Sequence, residues 1–228
     1  MDFQELQNKL KTPPTPGRKR AVLLCTGSLC PVHQGHLQIL DIASKFLSEE
    51  YNIDSLVAYI SPSCDSYVFY KLGNDMISFT HRFEMLKLAC NEHNSQPNVI
   101  PIIPDSWEGL QPDFVDFPEV RKHFVKEIKK AFPDQDLHVL YVSGADHFMK
   151  CRLYNGYGYV GISRVGYKIQ ATSNYEHDIY VCNDPKYQNY YSDASSTAIR
   201  KAKEKKQSID DLTYASVVKY LHDVVHWI

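Results

Sequence analysis

Short apolar runs alternate with longer amphipathic segments along most of the chain. Residues 21–25 form a continuous apolar run bounded by polar and turn-forming residues, which is typical of a strand buried on both faces. Similar runs predict further strands at 56–60, 99–103, 137–142, 159–163 and 179–182. Apolar positions near helical spacing predict helices at 35–50, 80–90, 118–132, 196–206 and 209–223. This alternation predicts an α/β fold with a mostly parallel sheet and helices on both faces.

The start of the chain and its longest apolar stretches narrow the class of protein. Residues 1–19 combine an amphipathic stretch with a Pro- and Thr-rich segment, so we predict a flexible N-terminal leader there and a single domain over 20–228 that includes the C-terminal helices. The first residues do not resemble a secretory signal, and no apolar stretch approaches the ~20 residues that span a bilayer. We therefore expect an intracellular protein, cytoplasmic or nuclear, with no membrane partner.

Composition and charge exclude further classes. Hydrophobic residues make up 43% of the 228 residues, which is enough for a sizeable core. The 25 Lys and Arg against 27 Asp and Glu give a formal net charge of −2, which excludes a protein that binds polynucleotide by bulk charge. Six cysteines are spread along the chain without a C-x-x-C pair, which argues against a structural zinc site. Since Cys25 and Cys90 lie in apolar runs, we expect reduced thiols in a reducing compartment.

The turn after the first predicted strand, residues 26–37, carries the first candidate chemistry. His33 and His36 lie about one helical turn apart where the chain enters the helix, so both imidazoles can face an anion held by the free amides of the helix start. Gly27 allows the backbone to approach such a ligand closely. The alternatives are two metal-ligating histidines, ordinary polar residues at a helix start, and a nucleophilic Cys30 without an evident base. The turn alone favours phosphate binding over them.

A second helix start near the end of the chain offers the same chemistry. Ser195 or Ser196 is a good N-cap residue, which leaves the neighbouring amides exposed. Arg200 lies about one turn into this helix, so its guanidinium can reach back and bind two phosphate oxygens at once. We interpret the lysine-rich residues 201–206 as a solvated face.

These two helix starts resemble known motifs. Residues 27–36 resemble the (T/H)xGH signature of the nucleotidylyltransferase superfamily, and residues 195–200 resemble its second motif, SSTxxR. Five segments between them resemble, in the same order, those of eukaryotic-type nicotinamide or nicotinate mononucleotide adenylyltransferases: 61–67, 80–85, 105–111, 142–146 and 162–166. The resemblance implies a Rossmann-like, doubly wound fold and adenylyl transfer from ATP to nicotinamide or nicotinate mononucleotide, which forms the dinucleotide and pyrophosphate.

The resemblance also implies roles for the ATP half of the site. His33 would order the phosphates, His36 would stabilise charge on the α-phosphate and the leaving group, and Arg200 would bind the β- and γ-phosphates. The other residues implied in ATP and phosphate binding are Gly27, Ser28, Gly144, Asp146, Arg164, Ser195, Ser196 and Thr197. Mg²⁺ is implied as a bridge between ATP phosphates with water as most of its other ligands, so no protein metal site is expected.

The sequence departs from the family pattern in the half of the site that is expected to bind the mononucleotide. Trp107 is expected to stack on the cationic pyridine ring through its π-face, with Ser61, Lys71 and Tyr154 as the other candidate contacts. The family usually places a second tryptophan after its GAD motif, where this sequence has only tyrosines. A lysine-rich run that commonly follows the Ser-Pro loop is also missing, which leaves the choice of phosphate-binding lysine open.

Two other functions stay open on the sequence alone. One is a related nucleotidylyltransferase that uses another phosphate-bearing acceptor, and the other is a non-catalytic nucleotide-binding scaffold on the same fold. The intact His33, His36, Ser196 and Arg200 argue against the scaffold. The sequence leaves open the preference for amide or acid mononucleotide and whether the protein forms a homo-oligomer.

Overall fold

A six-stranded parallel sheet is the centre of the fold. The computed structural model describes residues 1–151, 157–164, 166–170, 178–188 and 194–226. The strands are β1 (Lys19–Gly27), β2 (Ile53–Pro62), β3 (Ile102–Pro104), β4 (Leu137–Gly144), β5 (Tyr159–Ile162) and β6 (Ile179–Cys182). Their order is β3-β2-β1-β4-β5-β6, and every neighbouring pair is parallel. The predicted parallel sheet is confirmed.

Helices cover both faces of this sheet. They are α1 (Gln4–Leu10), α2 (Gln34–Tyr51), α3 (Asp65–Leu72), α4 (Phe79–Asn94), α5 (Phe117–Ala131), α6 (Ala145–Phe148), α7 (Pro185–Gln188), α8 (Ser196–Glu204) and α9 (Ala215–Asp223). Side chains of α2, α4, α8 and α9 share one apolar core with the sheet, and those of α1, α5 and α6 share a second core. None of the helices in the described part of the chain is long and apolar enough to cross a membrane. The doubly wound, Rossmann-like α/β fold is confirmed.

The chain changes direction across the sheet at the junction of β1 and β4. From β1 the strands run outward through β2 to β3 on one side, and then from β4 through β5 to β6 on the other. The loops that leave β1 and β4 at their carboxyl ends therefore diverge and leave a crevice between them, which is where doubly wound sheets bind ligands. In this chain β1 ends at Gly27 and β4 ends at Gly144.

Several elements differ from their prediction, and three of them have a clear physical reason. β3 covers Ile102–Pro104 rather than 99–103, and it begins after Pro101, which supplies no amide hydrogen to a strand ladder. The last helix begins after Tyr214 rather than at residue 209, because Tyr214 adopts an extended conformation as its N-cap. α3 has no counterpart among the predicted elements, since a helix of 8 residues with one buried side chain has almost no apolar period to detect.

The N-terminal leader is packed against the domain. Leu6 in α1 is fully buried, and the Phe3 ring packs edge-on against the ring of Tyr59. The Tyr59 hydroxyl donates a hydrogen bond to the Asp2 carbonyl at 2.8 Å. The first half of the segment predicted as a flexible leader therefore forms a packed helix, where burial of apolar side chains offsets the entropy lost on ordering.

Candidate active site

A cleft opens at the carboxyl ends of β1 and β4, where the strand order predicts it. It consists of two adjoining cavities of about 210 Å³ and about 500 Å³. Thr26, His36, His147 and Ser195 line both cavities, so the two share a boundary. The predicted site residues that line one cavity or both are Gly27, Ser28, His33, His36, Lys71, Gly144, Asp146, Arg164, Ser195, Ser196, Thr197 and Arg200.

The start of α2 presents two histidines to this cleft. His33 is the N-cap residue, and its backbone N–H donates a hydrogen bond to Nδ1 of His36 at 3.2 Å. The two imidazole rings lie 3.6 Å apart between centroids, with their planes tilted by 35°. Because Nδ1 of His36 accepts this hydrogen bond, its ring proton is on Nε2, which is then the donor that a ligand can use.

Burial keeps both imidazoles neutral. It lowers the pKa of His33 to about 4, and it lowers the pKa of His36 well below its ordinary value, where His33 and Lys71 add to the effect. Nδ1 of His33 is buried and has no hydrogen-bond partner among the residues that the structure describes, which is costly unless a ligand completes the site. The two histidines are therefore suited to bind phosphate as neutral hydrogen-bonding groups rather than as cations.

The start of α8 is docked on the same turn. The Ser195 hydroxyl accepts a hydrogen bond at 3.0 Å from an amide in the first turn of the helix, which confirms Ser195 as the N-cap. The Ser196 hydroxyl donates to the Pro31 carbonyl at 2.8 Å, and the Arg200 guanidinium donates to the Cys30 carbonyl at 2.8 Å. Two helix N-termini, each with exposed amides and a positive dipole end, therefore face one cleft.

Cationic side chains converge between these helix starts. Nζ of Lys71, in the last turn of α3, lies 3.3 Å from the Ser28 hydroxyl oxygen. Burial lowers the pKa of Lys71, and the charges of Arg200 and Lys150 lower it further. Because repulsion from these cations disfavours the charged form of Lys71, an anion placed beside it is stabilised strongly.

An ion pair lies where the two cavities meet near the end of β4. Nη2 of Arg164 and Oδ2 of Asp146 are 2.9 Å apart, and each side chain is about half exposed. An ion pair this exposed contributes little to stability. Asp146 lines the larger cavity and Arg164 the smaller one, so the pair can offer a carboxylate to hydroxyl groups and a guanidinium to phosphate.

A buried arginine that the sequence analysis did not single out organises the loops around the cleft. Arg82, on α4, is fully buried and donates hydrogen bonds to the carbonyls of Ser28 at 2.8 Å and Ser63 at 2.7 Å. It also donates to the Ile77 carbonyl at 2.9 Å and pairs with the Asp65 carboxylate at 2.9 Å. One guanidinium therefore joins the turn after β1, the loop after β2 and the start of α3.

A hydrogen-bonded chain runs along the boundary between the cavities. The hydroxyl oxygens of Thr26 and Tyr141 are 2.8 Å apart, and the Tyr141 hydroxyl lies 3.1 Å from Nε2 of His147. Burial raises the pKa of Tyr141 well above its ordinary value and lowers the pKa of His147, so both groups are neutral at neutral pH. The only sequence signal for His147 is its place directly after a buried strand.

Cys30 is not arranged as a nucleophile. It is buried, and this burial raises the pKa of its thiol. Its Sγ accepts a hydrogen bond from the Ile77 N–H at 3.3 Å. Nucleophilic cysteines are exposed thiolates with lowered pKa values, so the structure favours a packing role for this residue.

Glu108 is a buried carboxyl on the wall of the larger cavity. It is 2% exposed, and its Oε2 has no hydrogen-bond partner among the described residues. Burial raises the pKa of Glu108 to about 7. In the sequence, only its place directly after Trp107 in residues 105–111 marks Glu108.

The raised pKa of Glu108 predicts that stability falls as pH rises. The Glu108 carboxyl loses its proton near pH ~4.3 in the unfolded chain but keeps it until about pH 7 in the folded one. The free energy of unfolding therefore falls as the pH rises between these two values. Glutamine does not ionise, so the Glu108→Gln variant lacks this pH-dependent loss. Between about pH 5 and pH 8, the free energy of unfolding should fall by about 3 kcal/mol more in the native chain than in the variant. Urea unfolding at several pH values measures the difference. Parallel curves for the two proteins would contradict the burial argument.

Two of the predicted mononucleotide contacts, Trp107 and Ser61, line neither cavity of the cleft. One face of the Trp107 indole is covered by the His123 imidazole, with 3.8 Å between centroids and 9° between planes, and Trp107 lines neither cavity. Ser61 is fully buried in β2. Tyr154 lies outside the described residues. The turn after β3 directs one face of the indole against α5. Stacking of Trp107 on the pyridine ring stays a prediction.

Another aromatic pair occupies the cleft instead. Tyr67 on α3 and Phe114 in the loop before α5 stack with 4.4 Å between centroids and 21° between planes, and both line the larger cavity. Phe114 is 48% exposed, and Nζ of Lys71 lies 5.9 Å from the Tyr67 ring centroid. Phe114 follows Trp107 in the same loop, but the local sequence contains no signal that places one of them in the cleft and the other against a helix.

Comparisons with known proteins agree with this geometry. The sequence profile of a family described as Cytidylyltransferase-like matches residues 24–202. A nicotinamide/nicotinic acid mononucleotide adenylyltransferase from Schizosaccharomyces pombe is 32% identical over 114 residues, which are 50% of this chain and 28% of that protein. Nicotinamide/nicotinic acid mononucleotide adenylyltransferase 1 from Saccharomyces cerevisiae is 24% identical over 235 residues, with 91% of this chain and 55% of that protein covered.

A solved structure shares the fold. The protein, from Vibrio parahaemolyticus and assigned as a nicotinate-nucleotide adenylyltransferase, has a TM-score of 0.52 at 13% identity and covers 90% of this chain and 99% of that one. The chain spans only 28% and 55% of these two curated relatives. The family profile, however, runs from β1 into α8 and so includes both helix starts of the cleft. The chain therefore belongs to the Cytidylyltransferase-like family.

Proposed function

We propose that this chain transfers the adenylyl group of ATP to nicotinamide or nicotinate mononucleotide, which yields the dinucleotide and pyrophosphate. The observation that carries the proposal is the convergence of the α2 and α8 N-termini with Lys71 and Arg200 where the sheet changes direction. Such a site binds several phosphate groups at once. The names of the relatives from Schizosaccharomyces pombe and Saccharomyces cerevisiae support a pyridine mononucleotide as the acceptor.

The reaction needs no protein nucleophile. An oxygen of the mononucleotide 5′-phosphate attacks the α-phosphorus of ATP, a new P–O bond forms, and the bond to the β-phosphate oxygen breaks with its electron pair leaving on pyrophosphate. Nε2–H of His36 donates to the α-phosphate as negative charge grows there, while His33 orders the phosphates. Ser195, Ser196 and Arg200 hold the β- and γ-phosphates. Positioning and charge stabilisation therefore account for the rate.

The two cavities divide the substrates between them. We assign the cavity of about 210 Å³ to the adenosine, where Gly144 gives the backbone room to approach and the Arg164 guanidinium borders it. We assign the Asp146 carboxylate to accept hydrogen bonds from ribose hydroxyls. The cavity of about 500 Å³ then takes the phosphates and the mononucleotide, with Ser28 and Thr197 among its polar groups.

Mg²⁺ fits this site as part of the ATP complex. Within the ranges that the structure describes, no three His, Cys, Asp or Glu side chains are grouped to hold a metal ion. The cleft offers amides, hydroxyls and cations, which bind phosphate, so phosphate oxygens and water are left as the ligands of the ion. When bound, the ion neutralises phosphate charge. Lys71 and Arg200 hold the phosphates that carry it.

For the cationic pyridine ring we propose the aromatic pair of Tyr67 and Phe114 in place of Trp107. A π-face attracts a cationic ring by stacking and by cation–π interaction. The outer face of Phe114 is accessible from the larger cavity, and Lys71 beside Tyr67 is within reach of the mononucleotide phosphate. The ring and the phosphate of one mononucleotide are therefore bound by adjacent groups.

The pair predicts a selective effect on mononucleotide binding. Phe114→Ala should raise the KM for the mononucleotide about tenfold and leave the KM for ATP within about twofold, because only the stacking face is lost. Steady-state kinetics with each substrate varied in turn measures both constants. Trp107→Phe is the matched control, since it keeps an aromatic ring against His123 and should leave both KM values unchanged. A raised mononucleotide KM in Trp107→Phe, with a native value in Phe114→Ala, would identify Trp107 as the stacking residue.

A direct assay tests the proposed function. Purified protein is incubated with ATP, Mg²⁺ and each mononucleotide in turn, and dinucleotide and pyrophosphate are measured. We expect the two products in equal amounts. Pyrophosphate release with a different phosphate-bearing acceptor would support the related transferase instead. Binding of ATP without any turnover would support the scaffold.

A further inference from the structure

The turn that carries the two cleft histidines is held from behind by a threonine distant in sequence. Thr213, directly before the N-cap of α9, is 1% exposed, and its hydroxyl donates a hydrogen bond to the Val32 carbonyl at 2.8 Å. The two residues are 181 positions apart in the chain. Thr213 lines neither cavity of the cleft, so it acts on a ligand only through the backbone of this turn.

The peptide group that accepts this hydrogen bond also makes one on its other side. The carbonyl of the Val32–His33 peptide is bonded to Thr213, and its N–H donates to Nδ1 of His36 at 3.2 Å. Hydrogen bonds in series polarise one another, so the threonine hydroxyl strengthens the N–H donor that His36 accepts. That acceptance keeps the ring proton of His36 on Nε2.

We propose that Thr213 is a positioning residue for adenylyl transfer, because its hydroxyl holds the Val32–His33 peptide in the orientation that presents Nε2–H of His36 to the α-phosphate. This inference rests on the proposed function and deepens it, since it explains how the orientation and tautomer of the central histidine are fixed. Without the hydroxyl the Val32 carbonyl is buried and unpaired, and the peptide can rotate away from His36.

The surroundings of Thr213 hold its hydroxyl in place. Nε2 of Gln34, in the first turn of α2, lies 3.5 Å from the Thr213 carbonyl oxygen. The Glu92 carboxylate accepts hydrogen bonds from the Ala215 and Ser216 amides at 3.3 Å and 3.0 Å and so caps α9 directly after Thr213. The threonine is therefore anchored independently of its own hydroxyl, and a variant that lacks only the hydroxyl tests this one interaction.

The test compares two substitutions of Thr213. Thr213→Val keeps the size of the side chain, and we expect kcat to fall about tenfold while the KM values for ATP and mononucleotide stay within about twofold. Thr213→Ser restores the hydroxyl and should return kcat to within about twofold of native. The ¹⁵N chemical shifts of the His36 ring report the position of its proton. We expect it on Nε2 in the native protein and the serine variant, and shared between both nitrogens in the valine variant.

Tyr214→Phe is the matched control. It removes a neighbouring hydroxyl that lies 3.4 Å from Nδ1 of His93, leaves the contact between Thr213 and Val32 intact, and should keep the native kcat. An equal loss of kcat in this control would overturn the proposal, as would native kcat in Thr213→Val. So would a proton on Nδ1 of His36 in the native protein, a result that needs no stable variant. If the native chain makes no dinucleotide, the proposed function fails, while the ¹⁵N comparison still decides whether Thr213 fixes the His36 tautomer.

Discussion

The Arg82→Met variant should lose about 3–5 kcal/mol of its free energy of unfolding and nearly all of its adenylyl transfer. Methionine keeps the apolar stem of the side chain but removes every hydrogen-bond donor. The carbonyls of Ser28, Ser63 and Ile77 then stay buried without this partner, and Asp65 loses its counter-charge. The activity falls because the three segments that Arg82 joins carry the walls of the cleft.

Urea unfolding and the dinucleotide assay measure the two effects. Arg18→Met is the matched control, because Arg18 also pairs with an aspartate, Asp54, at 2.6 Å, but its side chain is 22% exposed and lies outside the cleft. The control should lose about 1 kcal/mol or less and keep native activity. Arg82→Lys should recover little, since one ammonium cannot reach acceptors that a planar guanidinium bonds in several directions. Similar losses in Arg82→Met and Arg18→Met would contradict the role given to Arg82.

The fold and the two helix starts at the cleft follow from local signals. The apolar runs and helical periods predict the strands and most helices because burial against both faces of a sheet requires those patterns. His33, His36 and Ser195 are predictable because N-caps and helix starts are encoded within a few residues. The observed strand order then brings the starts of α2 and α8 to one cleft. Parallel topology by itself predicts only that the site lies at the carboxyl ends of the strands.

The remaining features depend on contacts between segments far apart in the chain. Arg82 bonds a carbonyl 54 positions away, and no local pattern marks a buried arginine as a clamp. Trp107 and Phe114 share one loop, and the backbone path of that loop decides which ring faces the cleft. The burial of Leu6 is equally hard to predict, since it depends on where α1 packs and not on the short sequence of that helix.

Replacing His36 should have the largest effect on kcat among residues that touch the reacting phosphates. The ring of His36 is neutral and its Nδ1 accepts from the His33 N–H, so under the proposed function Nε2–H is the donor to the α-phosphate. Its interaction therefore grows with the charge of the transition state and involves no proton transfer. Removal of one such buried donor lowers kcat by roughly 100- to 1,000-fold in enzymes that stabilise an oxyanion.

His36→Ala should therefore lower kcat at least about 100-fold with small changes in both KM values. His36→Gln separates the two mechanisms open to a histidine, because the glutamine amide is a neutral donor that cannot act as an acid or base at neutral pH. We expect it to recover a substantial part of kcat. His222→Ala, at an exposed histidine outside the cleft, is the control and should leave kcat unchanged. Full kcat in His36→Ala would remove this residue from the mechanism. If the glutamine variant is as inactive as the alanine variant, His36 acts by proton transfer and not by charge stabilisation.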